Sequence, residues 1–232
     1  PIAQSKPWYE TWGPYAIISG LCIALYAQTY WFKFTGLDDS FFLVVYQGYF
    51  ADVRNFMRGF KESGVLDYYR PLLFGTMIMD FQVSKTDPWF YHITNVIYHL
   101  IGCFALYKML IKLQYERIFA LLTTLLFTLH PLWSMAVAWI PGRNDPLVTL
   151  IVLWSFNFFI DYVQKGSFMA LLAHLLLYTA GLYTKETPYF IPFVFITYFF
   201  IFTKWQDSIK KMMTIGVGWS VIGLVFLAMR AE

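Results

Sequence analysis

The sequence predicts an all-α polytopic membrane protein, and three of its properties carry that prediction. Of 232 residues, 59% are hydrophobic, 22% aromatic and only 13% charged, against about 25% charged in soluble domains. The mean hydropathy is +0.53. The apolar residues also gather into runs near the roughly 20 residues of helix that a bilayer core requires. A net charge of +3 and the lack of a basic stripe argue against a nucleic-acid partner.

Taken in order, seven spans are predicted: 14–31, 89–111, 118–133, 146–162, 168–183, 188–202 and 212–229. Pro14, Pro146 and Pro188 stand at predicted helix starts, where proline's missing N–H costs least. Residues 32–88 form a long loop. Within it Phe50, Val53, Phe56, Met57 and Phe60 share one side of a helix, and Asp52, Arg54, Arg58 and Lys61 the other. That spacing predicts an amphipathic helix, lying in the membrane interface or packed on protein. Trp8, Trp12, Trp31, Trp89, Trp133, Trp139 and Trp205 sit near span ends, as an aromatic belt would. Cys22 and Cys103 lie within apolar runs and read as buried small hydrophobes. The chain starts at Pro1 with no cleavable signal peptide in view. Its last apolar run reaches Arg230-Ala231-Glu232, and it reads as the N-terminal part of something longer.

Orientation follows from basic residues in short loops. Even-numbered loops carry Lys108, Lys112, Arg117, Lys165, Lys204, Lys210 and Lys211, whereas odd-numbered short loops carry Arg143 and Lys185. The even loops and the N-terminus are therefore expected in the cytoplasm. Loops one, three and five then share the other face. They hold the pair Asp38-Asp39, the stretch 130–145 and the pair Lys185-Glu186.

Each of these groups has a chemical reading and a plainer one. Adjacent carboxylates such as Asp38 and Asp39 can bind a divalent cation, act as a base toward a hydroxyl, or cap a helix. Arg143 follows a Pro-Gly break, and its forked donors suit a phosphate; pairing with Asp145 would serve equally. Lys185 can hold a phosphate as a point charge, or form a surface hinge with Glu186. His92, Asn95 and His99 share one face of the second span. The two histidines are about 10.5 Å apart along the axis, too far to hold one ion, so polar contacts between helices explain the stripe. His130 heads the third loop as a substrate or gating candidate, and His174 reads as a packing residue. The sequence has no internal repeat and no GxGxxG, Walker-type, HExxH or N-x-[ST] motif.

The residues Leu129-His130-Pro131-Leu132-Trp133-Ser134-Met135-Ala136-Val137-Ala138-Trp139-Ile140-Pro141-Gly142-Arg143-Asn144-Asp145 resemble the signature HPxxxEAVAWIxGRxDLL. That signature belongs to the membrane domains of tetratricopeptide-repeat O-mannosyltransferases and their bacterial relatives. Tyr69-Arg70-Pro71-Leu72 resembles the family's YRPL element, the stretch from Tyr91 to Leu100 its HLxNxxLH helix, Thr184-Lys185-Glu186 its SKE element, and the Asp38-Asp39 loop its F-x-DD element. The resemblance implies a GT-C fold and inverting transfer of a sugar from a polyprenyl-phosphate donor to a protein or glycan hydroxyl. The membrane would be a bacterial inner membrane or the endoplasmic reticulum. It implies Asp38 or Asp39 as the base or a metal-linked carboxylate. Arg143 and Lys185 would hold the lipid phosphate, and Arg70, His92, His130 and Glu186 would line the cavity. Met135 stands where the signature has Glu. That departure supports a second reading, a non-catalytic GT-C-like subunit of a larger membrane complex. A third reading, a lipid or solute transporter, would place its essential charges in mid-span.

Overall fold

The computed structural model describes residues 7–35, 38–62, 65, 68–203 and 205–230. Residues 1–6, Gly36, Leu37, Lys204, Ala231 and Glu232, on which parts of the sequence reading fall, lie outside them. Twelve α-helices are found among the described residues: α1 (Gly13–Tyr26), α2 (Asp38–Ser40), α3 (Gln47–Ala51), α4 (Arg54–Arg58), α5 (Pro71–Ser84), α6 (Trp89–Lys112), α7 (Arg117–Thr128), α8 (Leu132–Ala138), α9 (Asn144–Lys165), α10 (Phe168–Leu182), α11 (Ile191–Phe202) and α12 (Trp205–Arg230). No strand occurs among these residues.

Three helical segments are long and apolar enough to cross a membrane: Trp89–Lys112, Ile140–Lys165 and Ile209–Arg230. A fourth span exists if α7 and α8, bent by 64° at the break before Leu132, count as one. The bend falls at His130-Pro131, and the proline lacks the N–H that a continuing helix needs. The other three predicted spans correspond to shorter α-helices. In 14–31, α1 gives way to a 3-10 turn, Ala27–Trp31. In 168–183 and 188–202 stand α10 and α11 with the 3-10 turn before it, both apolar and below spanning length.

At the centre, α9 packs between α6 and α10. Outside α6, α1 and α7 pack through Ile18, Cys103, Tyr107, Ala120 and Leu121. Outside α10, α11 and α12 enclose Phe159, Leu171, Phe195, Ile215 and Trp219. Polar cross-links join these apolar faces. Trp219 Nε1 donates to His174 Nε2 at 2.9 Å, and Ser155 Oγ lies 2.9 Å from His174 Nδ1. His174 is thus a hydrogen-bonded packing residue tying α9, α10 and α12. The face shared by His92, Asn95 and His99 serves helix contacts, with His99 Nε2 3.1 Å from the Thr128 carbonyl. Both cysteines are buried and free.

The long loop departs from its expected form. No single amphipathic helix spans 50–60. The chain forms α3, breaks at Asp52, and resumes as α4. Asp52 is extended, and its Oδ1 accepts the Arg54 N–H at 2.9 Å. That side chain satisfies a donor that a continuous helix would bond to backbone. Both short helices pack on α5, and Phe50 is fully buried. Phe50, Phe56 and Phe60 thus turn toward protein, whereas Val53 and Met57 stay exposed. Helix α5, too short for a span, is itself largely buried.

Candidate active site

Loops one, three and five meet at one end of the bundle. The meeting begins at Arg70, which directly precedes α5. Pro71 takes the first helical position, so no donor is lost there. The next free N–H, that of Leu72, donates to the Tyr183 carbonyl at 3.0 Å. This bond docks the start of α5 on the hinge after α10, where Lys185 and Glu186 lie. Arg70 Nη2 then reaches Glu186 Oε2 at 3.0 Å, while its guanidinium lies 4.9 Å over the Tyr68 ring. Arg230 approaches the other Glu186 oxygen at 3.7 Å. Burial raises the Glu186 pKa, but a backbone N–H and the two arginines outweigh it and hold the carboxyl below its ordinary value.

Lys185 turns the other way. Its Nζ donates to Asn144 Oδ1 at 3.1 Å and to the Asp145 carboxylate. Beside Arg70 and Asn144 lies a pocket of about 150 Å³, walled also by Asp38, Phe42, Tyr68 and Trp139 among others; Lys185 and Glu186 stand outside its wall. Arg70 Nε is buried and has no protein partner. A charged donor left without an acceptor is costly, and this one belongs to a side chain in the pocket wall.

The two adjacent carboxylates have different surroundings. Asp38 is exposed and faces the pocket. Asp39 is buried, and its Oδ2 accepts both the Thr35 N–H and the Thr35 hydroxyl at 3.0 Å. Burial raises the Asp39 pKa against the opposing pull of those two bonds. Among the described residues no cluster of three or more His, Cys, Asp or Glu is placed to hold a metal ion. The pair that would supply a cation site is divided between a pocket wall and a loop anchor, which fits a resident cation poorly.

Arg143 stands elsewhere than the sequence reading placed it. It is fully buried, and its Nη2 lies 2.6 Å from Asp80 Oδ2. Its Nε donates to Asn95 Oδ1 at 2.9 Å, and Nη2 to Thr94 Oγ1 at 2.8 Å and the Tyr91 carbonyl at 3.1 Å. Fully buried and bonded to protein through Nε, Nη1 and Nη2, this arginine is not in the pocket wall. His92 is buried, edge-on to Phe32. His130 is exposed on a separate apolar groove of about 560 Å³, walled also by Leu126, Trp133 and Asp145. Its Nδ1 accepts the Leu132 N–H at 3.3 Å, which leads into α8. Met135 is 69% exposed and is not among the residues that wall the pocket.

Trp139, which flanks the third-loop motif, completes these surroundings with Asp80, Tyr68 and Asn144, and the last three were not singled out for them from sequence. Asp80 had a legible signal: a lone carboxylate in the apolar run of α5, costly unless paired.

Apolar helices long enough to cross a bilayer, with a polar pocket that holds one cation and one carboxylate at their end, define a multi-pass membrane protein. A family model described as dolichyl-phosphate-mannose-protein mannosyltransferase matches residues 73–229, more than half of the chain, and the chain belongs to that family. Asp38 and Arg70 lie before the matched stretch, so their placement rests on the geometry above. Protein O-mannosyl-transferase TMTC1 of Homo sapiens is 31% identical over 141 residues, 56% of this chain and 16% of that relative. A protein O-mannosyl-transferase of Caenorhabditis elegans is 32% identical over 101 residues, 41% of this chain and 14% of the relative. Protein O-mannosyl-transferase TMTC2 of Homo sapiens is 29% identical over 111 residues, covering 47% and 13%. The chain thus spans well under a fifth of the length of these curated relatives. No solved structure matches it.

Proposed function

We propose that this chain carries the donor pocket of an inverting GT-C glycosyltransferase. The enzyme moves mannose from a polyprenyl-phosphate-linked donor to a protein hydroxyl on the non-cytoplasmic face. The observation that carries the reading is the pocket joining the exposed Asp38 to Arg70, whose Nε has no protein partner. A donor phosphate would meet the part of the Arg70 side chain left open to the pocket, 18% of it exposed.

In this reaction the acceptor hydroxyl gives its proton to Asp38. Its oxygen bonds to the anomeric carbon from the face opposite the phosphate. The bond from carbon to phosphate oxygen breaks, and its electron pair leaves on the lipid phosphate. Arg70 stabilises the charge that develops there. Lys185, held by Asn144 and Asp145, backs the Asn144 side of the pocket wall. Asp39 fixes the loop that presents Asp38. His92 and Arg143 act from behind the pocket, and His130 lies on a neighbouring groove. No step requires a metal at the carboxylate pair. The exposed Met135 takes no carboxylate from the pocket wall, so its substitution lends the subunit reading no support there.

Donor binding tests the reading. Purified full-length protein in detergent or nanodiscs is titrated with dolichyl-phosphate-mannose. A hydrogen bond to a charged group contributes about 1.5–3 kcal/mol, so Arg70→Ala should raise Kd by roughly tenfold or more. Absence of binding by the parent protein, or an unchanged Kd in Arg70→Ala, would overturn it.

A further inference from the structure

We infer that Asp80 and Arg143 form a buried positioning pair, which sets the shape of the pocket from behind without touching substrate. The inference rests on the donor pocket proposed above. Burying two charges is expensive, and replacing such a pair by apolar groups often leaves stability equal or higher. Stability alone therefore gives little reason for the pair, and its connections point to a different role.

The pair ties α5 to α6 through Tyr91 and Thr94, and one branch, through Asn95, leads to the pocket wall. Thr94 closes a triangle. Its hydroxyl accepts from Arg143 Nη2 at 2.8 Å and donates to Asp80 Oδ2 at 2.6 Å. Asn95 accepts from Arg143 Nε, while its own Nδ2 donates to the carbonyls of Val137 at 3.2 Å and Trp139 at 3.3 Å. One side chain thus grips both the arginine and the turn that places Trp139 in the pocket wall. Gly142 permits the approach. A Cβ there would lie 3.1 Å from Ala136 Cα and from the Met135 and Ala136 carbonyl oxygens. The turn can therefore fold tightly onto α8 and carry Arg143 inward.

The next residues are Asn144 and Asp145, which hold Lys185. On the other side, Asp80 lies ten residues after Arg70, about 15 Å along the axis of α5. The ion pair therefore bolts α5, which starts at Arg70, to the first turn of α9, which presents Lys185. The spacing of the two cations follows from that bolt. A misplacement of about 1 Å can cost a hundredfold in rate, so a small shift here would register in catalysis.

The test separates positioning from folding. Asp80→Asn and Arg143→Gln each leave one buried charge unpaired, and should lower both the melting temperature and transfer. The double variant Asp80→Asn/Arg143→Gln removes both charges. It should regain most of the melting temperature, yet keep kcat/KM for dolichyl-phosphate-mannose at least tenfold below the parent. Parental kcat/KM in a stable double variant would overturn the inference. A second readout needs no activity. Met79 and Leu132 are exposed at 53% and 80%, and the native cysteines are buried. Spin labels at Met79→Cys and Leu132→Cys should show one narrow distance distribution with the pair intact and a broader one in the double variant. An unchanged distribution would overturn the inference whatever the activity. A broadened distribution in a protein that transfers no mannose would uphold the pair and refute only the donor pocket.

Discussion

Asp38 and Asp39 share a sequence signal and differ in surroundings. Asp38 faces the pocket, whereas both polar groups of Thr35 hold Asp39. General-base catalysis contributes about 10²–10⁴-fold, so Asp38→Asn should lower kcat in that range with little change in donor Kd, as steady-state kinetics and titration would show. Glu186 sets a pH dependence. Its carboxyl is held below the ordinary value, burial being outweighed by its bonds and the arginines. A depressed folded-state pKa contributes stability above the unfolded value, about 4.3, which is lost as pH falls through the folded value. The melting temperature should therefore fall as pH drops from the unfolded value through the folded one. Glu186→Gln should flatten this acid limb, the two proteins differing most near neutral pH and converging once the pH is below the folded value. Arg143 shows what the sequence conceals at this scale. A Pro-Gly break followed by arginine reads as an interfacial group. Its partner Asp80 lies more than sixty residues away, in a segment with no periodic tie to it. Only packing reveals the pair.

At the scale of the element, long apolar runs were legible because a bilayer asks for length and apolarity. The bend between α7 and α8 was less so, although Pro131 marks it. Helices α3, α4 and α5 were poorly legible for a physical reason. They are short, and they pack Phe50, Phe56 and Phe74 against one another while Met57, Met79 and Val83 stay exposed, so no long apolar run marks them. Gly75 makes the dependence testable. A Cβ there would sit 2.4 Å from the Phe56 ring of α4, well inside van der Waals contact. Overpacking of this kind costs about 1–3 kcal/mol. Gly75→Ala should lower the melting temperature by several degrees, and a smaller residue at Phe56 should recover part of the loss. The cross-link of His174 to Trp219 and Ser155 makes another prediction. Interhelical hydrogen bonds in membranes contribute about 0.6–1.7 kcal/mol, and His174→Phe should lose an amount in that range, measured by reversible unfolding.

For the whole molecule, the informative pattern was loop parity. Charges scattered from Asp38 to Glu186 were expected on one face, and the fold gathers Asp38, Arg70, Asn144, Lys185 and Glu186 at one end. At the opposite end Lys112 bonds Asp161 at 2.6 Å and Lys211 caps the Val163 carbonyl at 2.7 Å. Parity could say which loops meet, because each crossing reverses direction. It could not say which side chains face the pocket, because that depends on contacts between helices. Arg70 entered the sequence reading through a short motif as a cavity candidate, and the fold places it in the pocket wall beside Asn144.

Mannose transfer by the full-length protein tests the central claim most directly. Dolichyl-phosphate-mannose and a serine- and threonine-containing acceptor are supplied, with Asp38→Asn and Arg70→Ala compared in parallel. Transfer is predicted for the parent. Asp38→Asn should bind donor and transfer at least a hundredfold more slowly, and Arg70→Ala should bind donor roughly tenfold or more weakly. A parent that binds donor and transfers nothing, or an Asp38→Asn variant as fast as the parent, would contradict the account.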